Sequence, residues 1–163
     1  MRTVMTPEEF HTWSQYLQLS KETEGLITAI RSSPPVRRVR GRTTNVTGRY
    51  PSPKMGRSIQ FESEHVEFWA IYGMERDDEV LEFYDQPSRI PLSYRARSGH
   101  KTTQWHTPDF FVPRKSSAGW EEWKPASMLD ELAVSMPARY QQAGTGQWRS
   151  PPGEAYAAQF ELT

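Results

Sequence analysis

Apolar residues along this chain recur first at helical and then at strand spacing. Phe10, Trp13 and Leu17 lie at helical intervals behind Thr6-Pro7-Glu8-Glu9, where Thr6 suits the N-cap, Pro7 the first turn and Glu9 the reciprocal capping position. A second, weaker helix over 20–31 has Leu26, Ile27 and Ile30 as its apolar side, and Pro34-Pro35 cannot continue it. Over 62–76, Val66, Trp69, Ala70 and Gly73 form a stripe that predicts a helix facing a sheet, with Glu67 beside it near Ala70 and Met74. Short strands are expected over 58–61, 80–84 and 89–94, and Ser98-Gly99 marks the tip of a hairpin returning over 102–112. After a polar turn at 114–119, 120–123 reads as the next strand. A helix over 126–137, with Met128, Leu129, Leu132 and Met136, is expected to cover the sheet. Last, AYAAQFEL at 155–162 reads as the start of a final strand, so the domain is expected to be truncated there.

These elements predict an α/β fold, a β-sheet flanked by helices, in three segments: a small helical N-terminal appendage (1–32), a basic Pro/Arg-rich arm or linker (33–57) and a core (58–163). The 163 residues suffice for one domain with a real core. Thirteen prolines, ten glycines and a mean hydropathy of -0.78 favour a loop-rich surface over a helical bundle. Cysteine is absent, which excludes disulfides and thiolate metal sites. With no apolar run of membrane-spanning length and no signal-peptide core, a cytoplasmic location is expected.

Twenty basic and twenty acidic residues cancel, so attraction to nucleic acid would need local clustering. The arm provides it: Arg37, Arg38, Arg40, Arg42, Arg49 and Lys54 lie in a stretch without an acidic residue. Such a stretch suits DNA phosphates, but a solvated linker and a site for an acidic protein fit it as well.

Candidate chemistry centres on residues 105–125, WHTPDFFVPRKSSAGWEEWKP. Two adjacent strands there would carry Asp109 on one and Glu122 and Lys124 on the other. Residues two apart share a strand face, so Glu122 and Lys124 point together while Trp123 points away. Paired carboxylates on rigid strands suit magnesium, and a neighbouring ammonium would offset charge developing on a phosphate. The same residues would also make an ordinary hairpin with a cross-strand ion pair. Glu67, beside a buried helix face, needs a partner, which a salt bridge or a metal held by those strands would supply. His106, three residues before Asp109, is near enough in sequence to touch the site, though a hydrogen-bonded structural role fits it better.

Taken in order, SEHVEFWAIYGMERDDEVLEFYDQP, HTPDFFV and EWKP resemble the TnsA-type endonuclease subunit of heteromeric cut-and-paste transposases, over about 61–125. The resemblance implies a restriction-endonuclease-like fold with a mixed sheet. It also implies an active site of Glu67, Asp109, Glu122 and Lys124, with Glu64 as the alternative helix ligand. Glu67, Asp109 and Glu122 would hold magnesium, for which manganese would substitute, and the reaction would be phosphodiester hydrolysis at transposon 5′ ends. Implied partners are double-stranded DNA at those ends, a DDE-type transposase subunit and an ATPase regulator; the implied setting is the bacterial nucleoid. The family's C-terminal segment, which contacts DNA and partner, is expected to lie beyond this chain. A stand-alone nuclease of the same fold and a non-catalytic DNA-binding or assembly module are the competing readings.

Overall fold

Helix α1, Pro7–Tyr16, starts as its sequence dictates, with Thr6 accepting from the Glu9 N–H while the Glu9 carboxylate accepts from the Thr6 N–H. Helix α2, Lys21–Ser32, is capped by the Ser20 hydroxyl. The computed structural model describes residues 4–36, 47–62 and 66–163. Of the expected DNA contacts, Arg37, Arg38, Arg40 and Arg42 lie outside the described residues, as does Glu64.

The two helices are not an appendage. Trp13, Ile27 and Ile30 belong to one apolar cluster with Ile59, Ile71, Met74, Phe83, Phe110, Phe111 and Val112. The Trp13 indole N–H also donates to the Arg114 carbonyl at 2.7 Å, far along the chain. Three buried phenylalanines, Phe83, Phe110 and Phe111, anchor this core, each contributing roughly 2 kcal/mol by leaving water.

The basic arm is shorter than expected. Strand β1, Gly48–Ser52, pairs antiparallel with β2, Arg57–Phe61, so part of the presumed linker is a hairpin with Met55 buried at its turn. Lys54, grouped with the arm on charge alone, has a different employment. Its ammonium donates to the carbonyls of Met74, Asp77 and Val80 at 2.7, 2.7 and 2.8 Å, closing the end of helix α3, Glu67–Arg76. These three contacts use the ammonium's three donors, which argues against Lys54 as a phosphate contact. Arg49, on β1, is exposed.

On α3 the buried positions are Ala70, Ile71 and Met74, while Trp69 is 59 % exposed. The expected stripe is therefore rotated. Helical spacing alone allowed either face; Trp69 lies outside, meeting Phe68 and Tyr72, each at 5.5 Å, while Phe68 is half-buried and packs on the core beside Phe61. That rotation puts Glu67, one turn ahead of Ala70 and Ile71, in line with the inward face.

The central sheet has three strands in the order β3 (Tyr84–Asp85), β6 (Phe110–Pro113) and β7 (Ala118–Glu121), all antiparallel. Val80 joins only through an isolated bridge to Arg114. Strands β4, Ile90–Arg95, and β5, Lys101–His106, form a separate two-stranded ribbon. The return strand expected over 102–112 is thus broken between sheets at 107–109, where Pro108 removes a ladder donor. Among the described residues every pairing is antiparallel and the sheets are several and small, so the single mixed sheet is not found.

Two further elements depart from expectation. Helix α4, Ala126–Ser135, buries none of its residues and so does not cover the sheet. Past the small hairpin of β8, Gln141–Gln142, and β9, Trp148–Arg149, the stretch expected to begin a strand is helix α5, Pro151–Ala158, which packs against β4. Prolines in its first turn and alanines after them favour a helix, and a period-2 pattern this short carries little weight against them. Glu161, at φ 59°, reverses the chain so that Thr163 pairs beside β7, its N–H donating to Ala118 and its carbonyl accepting from Trp120. Gly119 permits that approach, since a Cβ there would sit 1.8 Å from the Thr163 carbonyl oxygen.

A buried ion pair locks the N-terminal helices to the sheet. Glu82 is fully buried and accepts from the Arg31 guanidinium through two bonds of 3.0 Å, from the Tyr84 hydroxyl at 2.6 Å and from the Met5 N–H at 2.7 Å. Burial disfavours the Arg31 charge, but the Glu82 carboxylate outweighs it and raises the guanidinium pKa. Replacing Arg31 by Met should destabilise the fold by about 3–5 kcal/mol, because Glu82 is left buried without its counter-charge. Urea unfolding checks this; a loss under about 1 kcal/mol would mean that Glu82 finds another partner.

Candidate active site

Asp109 sits in the break between β5 and β6, and its backbone is held on both sides. Its N–H donates to the Glu121 carbonyl at 3.0 Å, while its own carbonyl accepts from the Gln86 N–H at 2.8 Å. Its carboxylate Oδ2 accepts from the Trp123 N–H at 2.7 Å. The β6–β7 register, pairing Phe110 with Glu121, therefore brings Asp109 against the start of the Glu122-Trp123-Lys124 run. These residues follow β7 rather than lying within it, which corrects the strand placement but keeps the juxtaposition.

Glu122 and Lys124 point together as their spacing demands, with Lys124 Nζ 2.9 Å from Glu122 Oε1. Two residues from elsewhere complete the setting of Glu122. His106 Nε2 lies 3.5 Å from Oε2, and the Tyr140 hydroxyl donates to the carboxylate at 3.2 and 3.4 Å. Arg139 reaches the other His106 ring nitrogen, Nδ1, at 3.2 Å. With a guanidinium donor at Nδ1 and a carboxylate at Nε2, the arrangement assigns the neutral Nε2–H tautomer. Burial and the Glu122 charge together push the Tyr140 hydroxyl pKa upward.

Glu67 joins from the first turn of α3, its Oε2 accepting from the Glu62 N–H at 2.8 Å. Burial raises its pKa; that bond lowers it, Glu62 and Asp85 raise it, and Lys124 lowers it. Burial also lifts Asp109, to about 7, against the pull of the Trp123 N–H; Glu67 and Glu122 add to the rise and Lys124 offsets part of it. The four expected residues thus share one electrostatic environment containing more carboxylates than cations.

They do not form a ready ligand set. Among the described residues no three His, Asp or Glu side chains lie close enough to hold a metal ion. Glu67, Asp109 and Glu122 thus share one neighbourhood without standing at a common ligand distance. Each carboxylate instead takes a separate protein donor, as mutual repulsion of like charges in a half-buried site favours. The chemistry of the donor set still suits a hard cation: the oxygens are carboxylate, and burial, with neighbouring carboxylates adding to it, disfavours the charged forms of Asp109 and Glu67, a cost that a divalent ion would offset.

Several neighbours were not expected. Asp85, buried beside Arg57 at 3.7 Å, accepts from the Gln60 N–H, and its Oδ1 has no hydrogen bond among the described residues. Gln86, at φ 45°, donates from its side chain to Glu62 at 3.2 Å. Its place in the Gln-Pro motif was the only hint. Tyr140 and Arg139 come from the loop after α4 and carry no local signal. A cavity of about 670 Å³ opens beside Glu122 and Lys124, lined by Trp120, Trp123 and Trp148 among others.

The Asp109 shift gives a signed prediction for the metal-free protein. Its carboxyl titrates near 7 when folded and near 4 when unfolded, so between those values only the folded chain keeps the proton. Its contribution to stability therefore declines as pH rises from about 4 and stays low above about 7. In EDTA at pH 8, Asp109→Asn should melt several degrees above the parent, and the gap should close near pH 4. Thermal melts across that range check this, and a variant that melts lower at pH 8 would show that Asp109 is fully compensated.

No curated protein matches the chain. A family model described as the TnsA-like endonuclease N-terminal domain matches residues 77–158, half of the chain. The match takes in Asp109, Glu122, Lys124, His106 and Tyr140, with Glu67 upstream of it. With its Asp109, Glu122 and Lys124 brought together by one strand pairing, the chain belongs to the TnsA-like endonuclease family.

Proposed function

We propose that this chain is the metal-dependent DNA endonuclease subunit of a cut-and-paste transposase, hydrolysing phosphodiester bonds at transposon 5′ ends. The observation that carries the reading is the meeting of Asp109 with Glu122 and Lys124 across the β6–β7 pairing, inside the electrostatic reach of Glu67. Glu67, Asp109 and Glu122 would hold magnesium or manganese. When bound, that ion activates water and offsets charge on the phosphate.

The chain's own residues do the positioning. Backbone bonds on both sides of Asp109 fix where its carboxylate sits, as a pre-organised site requires. His106 and Tyr140 hold Glu122 from two further elements. Lys124, 25 % exposed beside Glu122, can turn its ammonium to the phosphate and stabilise the charge that grows there. Arg49, with Arg37, Arg38, Arg40 and Arg42, would contact DNA phosphates. A DDE-type subunit would process the 3′ ends and an ATPase would regulate assembly, in the bacterial nucleoid. No helix of the described residues is long and apolar enough to cross a membrane.

The decisive assay reconstitutes excision from a plasmid carrying transposon ends, with the DDE-type subunit and magnesium. Asp109→Asn and Lys124→Ala should each lower 5′-strand cleavage roughly a hundredfold or more while 3′-strand processing continues. Full 5′ cleavage by Asp109→Asn would sink the catalytic reading. Equal cleavage of random duplex without the partner would point to a stand-alone nuclease.

A further inference from the structure

The β4–β5 ribbon stands apart from the central sheet and carries charge of one sign. From Pro87 to Pro108 there is no Asp or Glu, while Arg89, Arg95, Arg97 and Lys101 all fall within it and all are exposed. No ion pair among the described residues involves any of the four.

The register sorts this charge onto one face. Ile90 and Leu92 are buried, so the alternate positions Pro91, Ser93 and Arg95 face outward with their partners Trp105, Thr103 and Lys101. That outward face has Trp105 at its root, 65 % exposed with the Arg89 guanidinium 5.8 Å from its ring. A hydroxyl pair follows, Ser93 with Thr103 at 2.8 Å, and then Arg95 directly opposite Lys101 near the tip. Like charges placed opposite each other destabilise a ribbon, and here no acidic residue of the ribbon relieves them. Their charge is available for something outside the chain.

The ribbon also has a fixed relation to the reaction centre. One residue beyond Trp105, His106 turns to the other face and meets Glu122, and three residues further on is Asp109. The outward face extends from there for about 14 Å, roughly four base steps of a duplex. A two-stranded ribbon is also an element that the DNA major groove admits.

We propose that the outward face of the β4–β5 ribbon is a DNA-binding surface, with Arg95, Arg97 and Lys101 on duplex phosphates away from the cleaved bond and Trp105 with Arg89 at the end of the face where the chain runs into His106. The proposal rests on the nuclease reading. It assigns duplex contact to an element other than the Arg-rich arm. Such contacts neutralise phosphates and release counterions, so they determine affinity and its salt dependence without reading sequence.

The test is fluorescence anisotropy with a labelled random-sequence duplex, in EDTA so that binding is measured without cleavage, over a series of salt concentrations. The triple variant Arg95→Gln/Arg97→Gln/Lys101→Gln should bind at least tenfold more weakly, with the slope of log K against log salt shallower by about 2–3. Lys115→Gln, which removes a cation paired with Glu79 elsewhere, should bind as the parent does. An unchanged slope in a triple variant with the parent's melting temperature overturns the proposal, as does an equal loss with Lys115→Gln. Asp109→Asn separates the two readings, because it should lose cleavage in magnesium without the loss of affinity and shallower slope expected of the triple variant. Loss of cleavage in that variant together with an unaltered slope in the triple variant would leave the nuclease standing and remove the ribbon.

Discussion

The antiparallel pairing of β6 with β7 is the constraint on which the site depends. It places the Asp109 N–H on the Glu121 carbonyl and then, one step past the ladder, the Trp123 N–H on the Asp109 carboxylate. A slip of one residue would turn Glu122 and Lys124 to the opposite side. The pairing is protected on both edges. Tyr84-Asp85 lies along β6, and Thr163 closes on β7 over a glycine that leaves no room for a side chain. Phe110, Phe111 and Val112, all buried, seat the strand in the core, so apolar burial and hydrogen bonding select the same register.

The N-terminal helices belong to that support. Arg31 satisfies a carboxylate that the core could not otherwise hold, with Tyr84 and the Met5 N–H as additional donors. Tyr84 itself pairs with Phe111 in β3–β6. The ion pair at the N-terminal end is thus two pairing steps from the candidate site, and the helices that looked separable in sequence help fix the strand that follows Asp109.

Electrostatically the molecule is balanced in total and uneven locally. Around Asp109, burial and neighbouring carboxylates leave a shortage of positive charge, while the ribbon that runs into His106 has cations with no acidic residue among them. Negative charge concentrates where a divalent ion would be held, and positive charge where a polyanion would pass. Unpaired charge of either sign is a disadvantage to an isolated fold, which gives both features a physical reason when metal and DNA are the ligands.

Local rules written in the sequence determined the capped starts of α1 and α2, the hairpin tip at Ser98-Gly99, and the shared face of Glu122 and Lys124, because these depend on neighbours within a few residues. Ordered motifs likewise identified the family, since their spacing survives in one dimension. Tertiary packing decided the rest. It chose which side of α3 is buried, against a stripe that included Trp69, because two faces of that helix were nearly equal in apolar content and only the neighbours distinguish them. It turned residues 151–158 into a helix, engaged Lys54 on the carbonyls ending α3, left α4 uncovered, and brought Tyr140 and Arg139 to the Glu122 site. None of these could be read along the chain, because the partner in each case is distant in sequence, and a charge or an apolar residue acquires its role only from what folds against it.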